Sequence, residues 1–369
     1  MSTEVAPEVA KTRRFKFNWV DSFLWFVRVV AIIAITVGIV GSFQKFAAGE
    51  GPSAVAWRDL IISSISTGSM YGLIALGYSM VYGVLGFINF AHGEVFMSGT
   101  MVGLISATLL FNNGFWESNP LISIFVVLLV AMITSTLVAI VIERVAYRPL
   151  RGAPRLIPLI TSIGVSFFVQ YSFAGLFGVA LRNYPPAPPR LAADLTVFGT
   201  TFPISGTRAL VIGVAIVSMI GLWYFVTKTK TGSAMRAVAE DKEIAGLMGI
   251  DVDKTIVTTF AVGGAMAGVA GLMWALLFRG VDFLTGFLPG IKAFTAAVLG
   301  GIGNLPGAML GGIMLGLFEG VGPLLVLDGL GIPGVSQLKD AVAFAALVLV
   351  LIFRPTGLLG ERLGSEDRV

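Results

Sequence analysis

Long apolar runs separated by short polar stretches organise this chain. Ten runs stand out, at Trp19–Phe43, Leu60–Leu85, Val95–Phe111, Leu121–Ile142, Leu156–Leu181, Ala209–Val226, Ile256–Phe278, Ile291–Ile302, Ala308–Leu327 and Ala341–Phe353. A helix crossing the hydrocarbon of a bilayer needs about 20 mostly apolar residues, so Ile291–Ile302 and Ala341–Phe353 are expected as re-entrant or tilted halves. The pattern predicts an all-α polytopic membrane protein with about 8–10 transmembrane helices, some of them discontinuous and arranged as an inverted repeat.

Two interruptions carry that last expectation. Ile88–Glu94 places Asn89, the lone histidine His92, and Glu94 between two apolar runs. As a short turn between helices these side chains would simply be hydrated. As a break in a membrane helix, they and the freed backbone groups would line a substrate path near the midplane. The second interruption is Gly300–Gly307, again between apolar helices. Asn89 and Asn304 lie near the starts of Ile88–Gly93 and Ile302–Gly307, two segments of equal length, and Gly/Pro-broken segments in matching positions of two halves point to a path at their interface. Asn89, His92, Glu94, Asn304 and Pro306 are therefore the candidate path residues. The dense glycines here and in Gly263–Gly271 are also what close helix packing alone would require.

Composition removes whole classes of function. Of 369 residues, 56% are hydrophobic and 12% charged, and no polar stretch is long enough for a separate globular domain. There is no cysteine, which excludes disulfides, zinc–thiolate sites and thiol catalysis. No lysine follows a glycine, so the chain has no P-loop and cannot hydrolyse nucleotide by that route. With one histidine and few intramembrane carboxylates, no nucleophile–base pair, metal cluster or cofactor site can be assembled from the sequence. Glu319 and Asp328, near the outer ends of their runs, read as hydrated or locally hydrogen-bonded.

The arrangement of charge sets an orientation. With the N-terminus inside, inner segments hold sixteen lysines and arginines: four in residues 11–16, four in 143–156, five in 228–254 and three after 353. Outer segments hold eight, Lys45, Arg58, Arg182, Arg190, Arg208, Arg279, Lys292 and Lys339, with Arg28 free to snorkel toward the basic tail. Both termini are placed in the cytoplasm. Residues 1–18 read as a disordered cytoplasmic tail without the aromatic–basic alternation of nucleic-acid binding, 19–59 as an added span with its outer loop, and 361–369 as a second cytoplasmic tail.

Two loops deserve separate readings. Arg182–Gly206 has Pro185, Pro186, Pro188 and Pro189 together, which predicts a stiff extended segment without helix, either a connector or a ledge for an external partner. Thr227–Thr255, on the inner side, balances its basic residues with Glu240, Asp241, Glu243, Asp251 and Asp253, so it is no polybasic lipid patch. Ser233 and Asp241 are expected N-caps, and Gly249 the left-handed residue that ends a helix with Ile250 folding back. Ile244, Leu247 and Met248 fall at i, i+3, i+4 and form one apolar stripe. That stripe packs on the protein's own helices or enters a groove on another protein, and the spacing favours the partner.

Six stretches together resemble the LivH-type inner-membrane permease subunits of branched-chain amino acid ABC importers. They are Tyr71–Gly83, Ile88–Glu94, Glu143–Arg151, Arg236–Ile250, Leu299–Ala308 and Phe353–Gly360, in that order, and the resemblance covers 60–360 as a permease domain. It implies a bacterial inner-membrane protein that carries branched-chain or other hydrophobic amino acids. It implies as partners a second permease subunit in a homo- or heterodimer, two cytosolic ATP-binding subunits and a periplasmic or extracellular substrate-binding protein. By resemblance the ATPase is engaged through Arg236, Glu240, Asp241, Ile244, Ala245, Leu247, Met248, Gly249 and Ile250. Related permeases carry urea or short amides, and broken helices in inverted repeats are equally typical of self-sufficient secondary transporters, so both readings stand beside the first. A channel would need rings of like residues in an oligomer, on which the sequence is silent.

Overall fold

The computed structural model describes residues 19–154, 156–197 and 200–360. The two tails, with Arg362 and Arg368, and also Arg155, lie outside the described residues. The chain is helical: α1 (Trp19–Ala47), α2 (Ala54–Leu85), α3 (His92–Asn112), α4 (Pro120–Ile142), α5 (Leu156–Phe177), α6 (Gly206–Lys228), α7 (Lys230–Glu240), α8 (Lys242–Leu247), α9 (Val252–Phe278), α10 (Phe287–Gly300), α11 (Leu305–Gly320) and α12 (Lys339–Phe353). Among the described residues strand is confined to two small antiparallel pairs, β1 (Arg182–Asn183) with β4 (Gly280–Val281) and β2 (Asp194–Val197) with β3 (Thr200–Ser205).

Every apolar run became a helix. Among the described residues eight helical stretches are long and apolar enough to cross a bilayer, and α10 with α11 would make a ninth if that pair counts as one span. The pair is bent by 120°, so it folds back on itself at residues 301–304. Ala341–Phe353 is less short than its run suggested, because a 3-10 turn at Val335–Leu338 extends it to a 19-residue stretch. Two runs end early: α5 stops at Gly178, whose φ of +82° is left-handed, and α11 stops at Gly320, before a separate π-helical turn at Pro323–Leu327.

The bundle is built around α2. This helix of 32 residues is about 48 Å long, and it contacts α6, α9, α10 and α11. Two thirds of its most apolar stretch is buried, as is that of α9, whereas for α1 and α12 the share is 6%. The latter two present apolar side chains where lipid would lie. Between α2 and α11 glycines line both faces: a Cβ on Gly68 would lie 2.7 Å from Gly312 O, and one on Gly316 would lie 2.5 Å from Gly68 Cα. No side chain fits there, which is how small residues let two backbones touch.

The connecting segments sort onto two faces. On one, Arg148 and Arg151 pair with Asp253, Lys242 Nζ donates to Leu85 O at 3.4 Å, and Asn304 Nδ2 donates to Leu359 O at 3.0 Å. On the other, Trp116 Nε1 donates to Pro186 O at 2.9 Å, β1 pairs with β4, and Lys45 Nζ lies 3.2 Å from Asp328. Alternate connections fall on alternate faces, as successive crossings require.

Several local expectations are corrected. Thr229, not Ser233, caps α7, accepting from Gly232 N at 3.0 Å, because Gly232 is tucked against the Phe225 and Val226 carbonyls and the helix therefore starts earlier. The proline segment is not free of helix: Pro189 opens a single turn, Pro189–Ala192, since its fixed φ suits the first helical position. Arg28 donates to Ile352 O at 2.6 Å and lies over the Trp25 and Phe353 rings, holding α1 to the end of α12. Lys292 belongs to no loop; it is buried within α10. Glu319 is buried too, paired with Lys292.

Candidate functional site

The first interruption is a six-residue non-helical segment, 86–91, starting from the left-handed Gly86 (φ +74°). Asn89, His92 and Glu94 are each at least 97% buried, so none of them is a hydrated turn residue. Asn89 Oδ1 accepts from Tyr147 Oη at 2.6 Å and from Ala91 N at 3.1 Å, tying the break to the end of α4. The His92 ring stands edge-on to Tyr78, with centroids 4.8 Å apart, and occupies the space a Cβ at Gly77 would fill. Glu94 accepts from Ser166 Oγ of α5 at 3.3 Å, and its second oxygen has no hydrogen-bond partner among the described residues.

Glu94 also sits where two helices begin. A Cβ on Gly93 would lie 2.5 Å from Gly286 O and 3.1 Å from Gly290 Cα, so the first turns of α3 and α10 touch. Each helix start carries partial positive charge, which a carboxyl oxygen between the two ends offsets. A Cβ on Gly286 would be 2.7 Å from Glu94 Oε2, which places that carboxyl oxygen at the junction.

The second interruption meets the first. Ile88, Asn89 and Ile302 share a narrow crevice with Tyr78, Tyr82 and Phe294, with a volume of about 10 Å³. Asn304 caps α11, accepting from Gly307 N at 2.8 Å, and lines a cavity of about 670 Å³ between α2, α6, α7 and α10, on the same face as the Lys242 and Asn304 contacts. Arg236 and Glu240 line the same cavity. Pro306, in the first turn of α11, is exposed and lines neither space; His92 and Glu94 also line neither, so the candidates fall into separate places, Asn89 at the crevice, Asn304 at the cavity, and His92 and Glu94 at the helix junction.

The loop Thr227–Thr255 forms two short helices. Arg236 donates to Val226 O and to Ser233 Oγ, fastening α7 to the end of α6, while Met235 and Val238 are buried beneath it. Asp241 caps α8, accepting from Glu243 N at 2.8 Å and Ile244 N at 2.9 Å. At the other end Gly249 has φ +83°, Gly249 N donates to Gly246 O at 3.0 Å, and Ile250 N donates to Ala245 O at 3.1 Å. This is the paired 5→2 and 6→1 termination expected for a left-handed C′ glycine. Ala245 is buried, but Ile244, Leu247 and Met248 are 59%, 87% and 78% exposed. The stripe does not pack on the chain's own helices.

One constellation was missed from sequence. Lys292 Nζ lies 2.9 Å from Glu319 Oε1, 2.8 Å from Asp340 Oδ1 and 3.4 Å from Tyr71 Oη, joining α10, α11, α12 and α2. A lysine inside the run Ile291–Leu299 was itself the available signal, since a cation in a membrane segment needs a partner. On the opposite face the proline segment is anchored by Tyr184, buried against α3 with its hydroxyl donating to Thr100 O at 2.6 Å; burial pushes its phenol pKa upward.

Comparison with known proteins adds to this geometry. The family described as the permease component of the branched-chain amino acid transport system matches residues 60–351. The high-affinity branched-chain amino acid transport system permease protein BraD of Pseudomonas aeruginosa is 43% identical over 314 residues, 84% of this chain and 98% of that protein. LivH of Escherichia coli is 40% identical over 305 residues, 82% of this chain and 94% of LivH. A probable LivH from Methanocaldococcus jannaschii is 28% identical over 293 residues, 78% of this chain and 88% of that protein.

Proposed function

The chain belongs to the permease components of branched-chain amino acid transport systems, and from that premise we propose that it conducts branched-chain amino acids across the bacterial inner membrane, driven by partner ATPases. The relatives' names favour this cargo over urea or short amides, and a partner-driven system over a self-sufficient transporter. Its partners in this reading are a second permease subunit, two cytosolic ATP-binding subunits and an external substrate-binding protein. The chain itself is a conduit and not an enzyme. Both termini lie in the cytoplasm; moving buried Lys292 out of the outer tally lowers that tally from eight to seven against sixteen, which strengthens the bias.

The observation that carries the mechanism is α8. A helix capped at both ends in an inner loop exposes three large apolar side chains, and the natural use of such a face is a groove on another protein. Its neighbour α7 contributes Arg236 and Glu240 to the inner cavity, so a force on α7–α8 would act on the cavity wall directly. Arg236, Asp241, Ala245, Gly249 and Ile250 hold the stripe in shape, and Ile244, Leu247 and Met248 are its contact atoms.

The path runs beside α2. A second cavity of about 400 Å³ opens on the outer face along Ser63, Ser64 and Thr67 of that helix, while the inner cavity begins at Ser79, about 18 Å further along it. Between them α2 and α11 are sealed by Gly68, Gly72, Gly312 and Gly316. Two vestibules separated by a closed seam suit alternating access, with the Asn89–Ile302 crevice as the narrow inner gate and His92 and Glu94 setting the helix junction behind it. The two interruptions act in this scheme as corresponding breaks of an inverted repeat. The test is purification of the assembled complex from its native membrane with identification of its subunits and bound ligand. Two ATP-binding subunits and a branched aliphatic amino acid are expected; a permease recovered without any ATP-binding subunit would overturn the reading.

A further inference from the structure

The outer cavity contains chemistry that conduction alone does not call for. Glu319 is 92% buried on its wall, bonded through Oε1 to Lys292 with the Tyr71 hydroxyl beside the carboxylate, while Oε2 is closed to water and has no hydrogen-bond partner among the described residues. Lys292 is shared with Asp340, so two carboxylates face one ammonium group and the trio carries one excess negative charge. Leaving a buried carboxylate oxygen unpaired is costly, and a second cation would offset both deficits. The rest of the wall is divided. Lys339 and the hydroxyls of Ser63 and Thr67 supply donors, whereas Leu60 and Phe278 supply an apolar surface. A volume of about 400 Å³ falls within the range of small-molecule sites, about 300–1,000 Å³.

We propose that this cavity is an outer binding site for a zwitterionic α-amino acid. The Glu319 side chain turns Oε2 toward the cavity to accept from the α-ammonium group, Lys339 with the α2 hydroxyls holds the α-carboxylate, and the apolar arc takes a branched aliphatic side chain. Three kinds of wall match three parts of one ligand class, and each part alone would leave some of the wall unused. The inference rests on the amino-acid cargo proposed above and adds to it a site within this subunit, at the end of the glycine seam that faces the outside.

The absence of cysteine from the chain makes the test direct. Val335→Cys places one thiol on the cavity wall without touching the polar groups. Its reaction with a membrane-impermeant methanethiosulfonate is timed on the full-length chain in its assembled complex. Leucine is expected to slow the reaction in a saturable way. The keto acid 4-methyl-2-oxopentanoate, which lacks the ammonium group, and isoamylamine, which lacks the carboxylate, should each need at least about tenfold higher concentration. Adding Glu319→Gln should raise the half-protecting leucine concentration roughly ten- to a hundredfold and leave that of the keto acid unchanged. Equal protection by leucine and the keto acid would overturn the site without any change at Glu319, as would protection by sodium ions in place of leucine. So would an assembled Glu319→Gln complex that binds leucine as before. A complex that carries leucine yet shows no protection rejects this site alone; one that cannot carry leucine with its partners present rejects the cargo on which the site rests.

Discussion

Replacing Leu247 with aspartate separates the coupling role of α8 from its folding. In the isolated subunit Leu247 is 87% exposed and its helix is held by the Asp241 cap and the Gly249 turn, neither of which the substitution touches. A surface change of that kind costs within about 0.5 kcal/mol, so insertion and thermal stability should be unaltered. In a groove the outcome differs. A buried leucine contributes about 1.5–3 kcal/mol, and a carboxylate left there without a partner adds about 1–3 kcal/mol of desolvation. The combined loss of about 2.5–6 kcal/mol corresponds to a drop in association of roughly a hundredfold to ten-thousandfold. The assay is capture of the ATP-binding subunits on tagged permease, followed by ATP-driven uptake. Lys254→Ala is the control, an exposed charge outside the stripe. Lys242 cannot serve, because its ammonium reaches the last carbonyl of α2 at Leu85. Equal capture and equal uptake by the Leu247→Asp and unmodified permeases would refute the reasoning.

Other consequences are as concrete. Gly312→Val drives a side chain into the Gly72 backbone of α2, and overpacking of about 1–3 kcal/mol should lower the melting temperature and abolish uptake; Gly83→Ala, whose Cβ would meet only Gly303 Cα at 3.9 Å, should be tolerated. His92→Ala should reduce uptake while ATPase capture stays intact, and normal uptake with Asn89, His92 and Glu94 all replaced by alanine would free the first break from any role in transport. For topology, Asp194→Cys should react with an impermeant maleimide on intact cells and Lys254→Cys only after permeabilisation, with the reverse pattern inverting the orientation.

What could be read from sequence was local. The helices were legible because lipid demands a continuous apolar surface, and the breaks because Gly300–Gly307 cannot stay helical next to a proline and Asn89, His92 and Glu94 are foreign to hydrocarbon. The α8 stripe was legible for the same reason: its cap, its spacing and its terminating glycine lie within ten residues. Long-range pairings were not. Lys292 was placed outside because its apolar run begins only at Ile291, whereas α10 begins at Phe287 and tolerates Pro289 in its first turn. Nothing near Lys292 in sequence announces Glu319 or Asp340, and nothing near Lys242 announces Leu85. The junction of α3 with α10 depends on Gly93, Gly286 and Gly290 meeting across nearly 200 residues, and a glycine does not reveal which backbone it admits.

The central claim is that this chain is a conduit moved by partners. It is tested by accumulation of labelled leucine in vesicles containing the assembled complex, with the external binding protein and ATP each supplied or withheld. Uptake against the gradient is predicted only when ATP reaches the cytoplasmic face and the ATP-binding subunits are present. Concentrative uptake by the permease without those subunits, driven by a proton or sodium gradient, would contradict it.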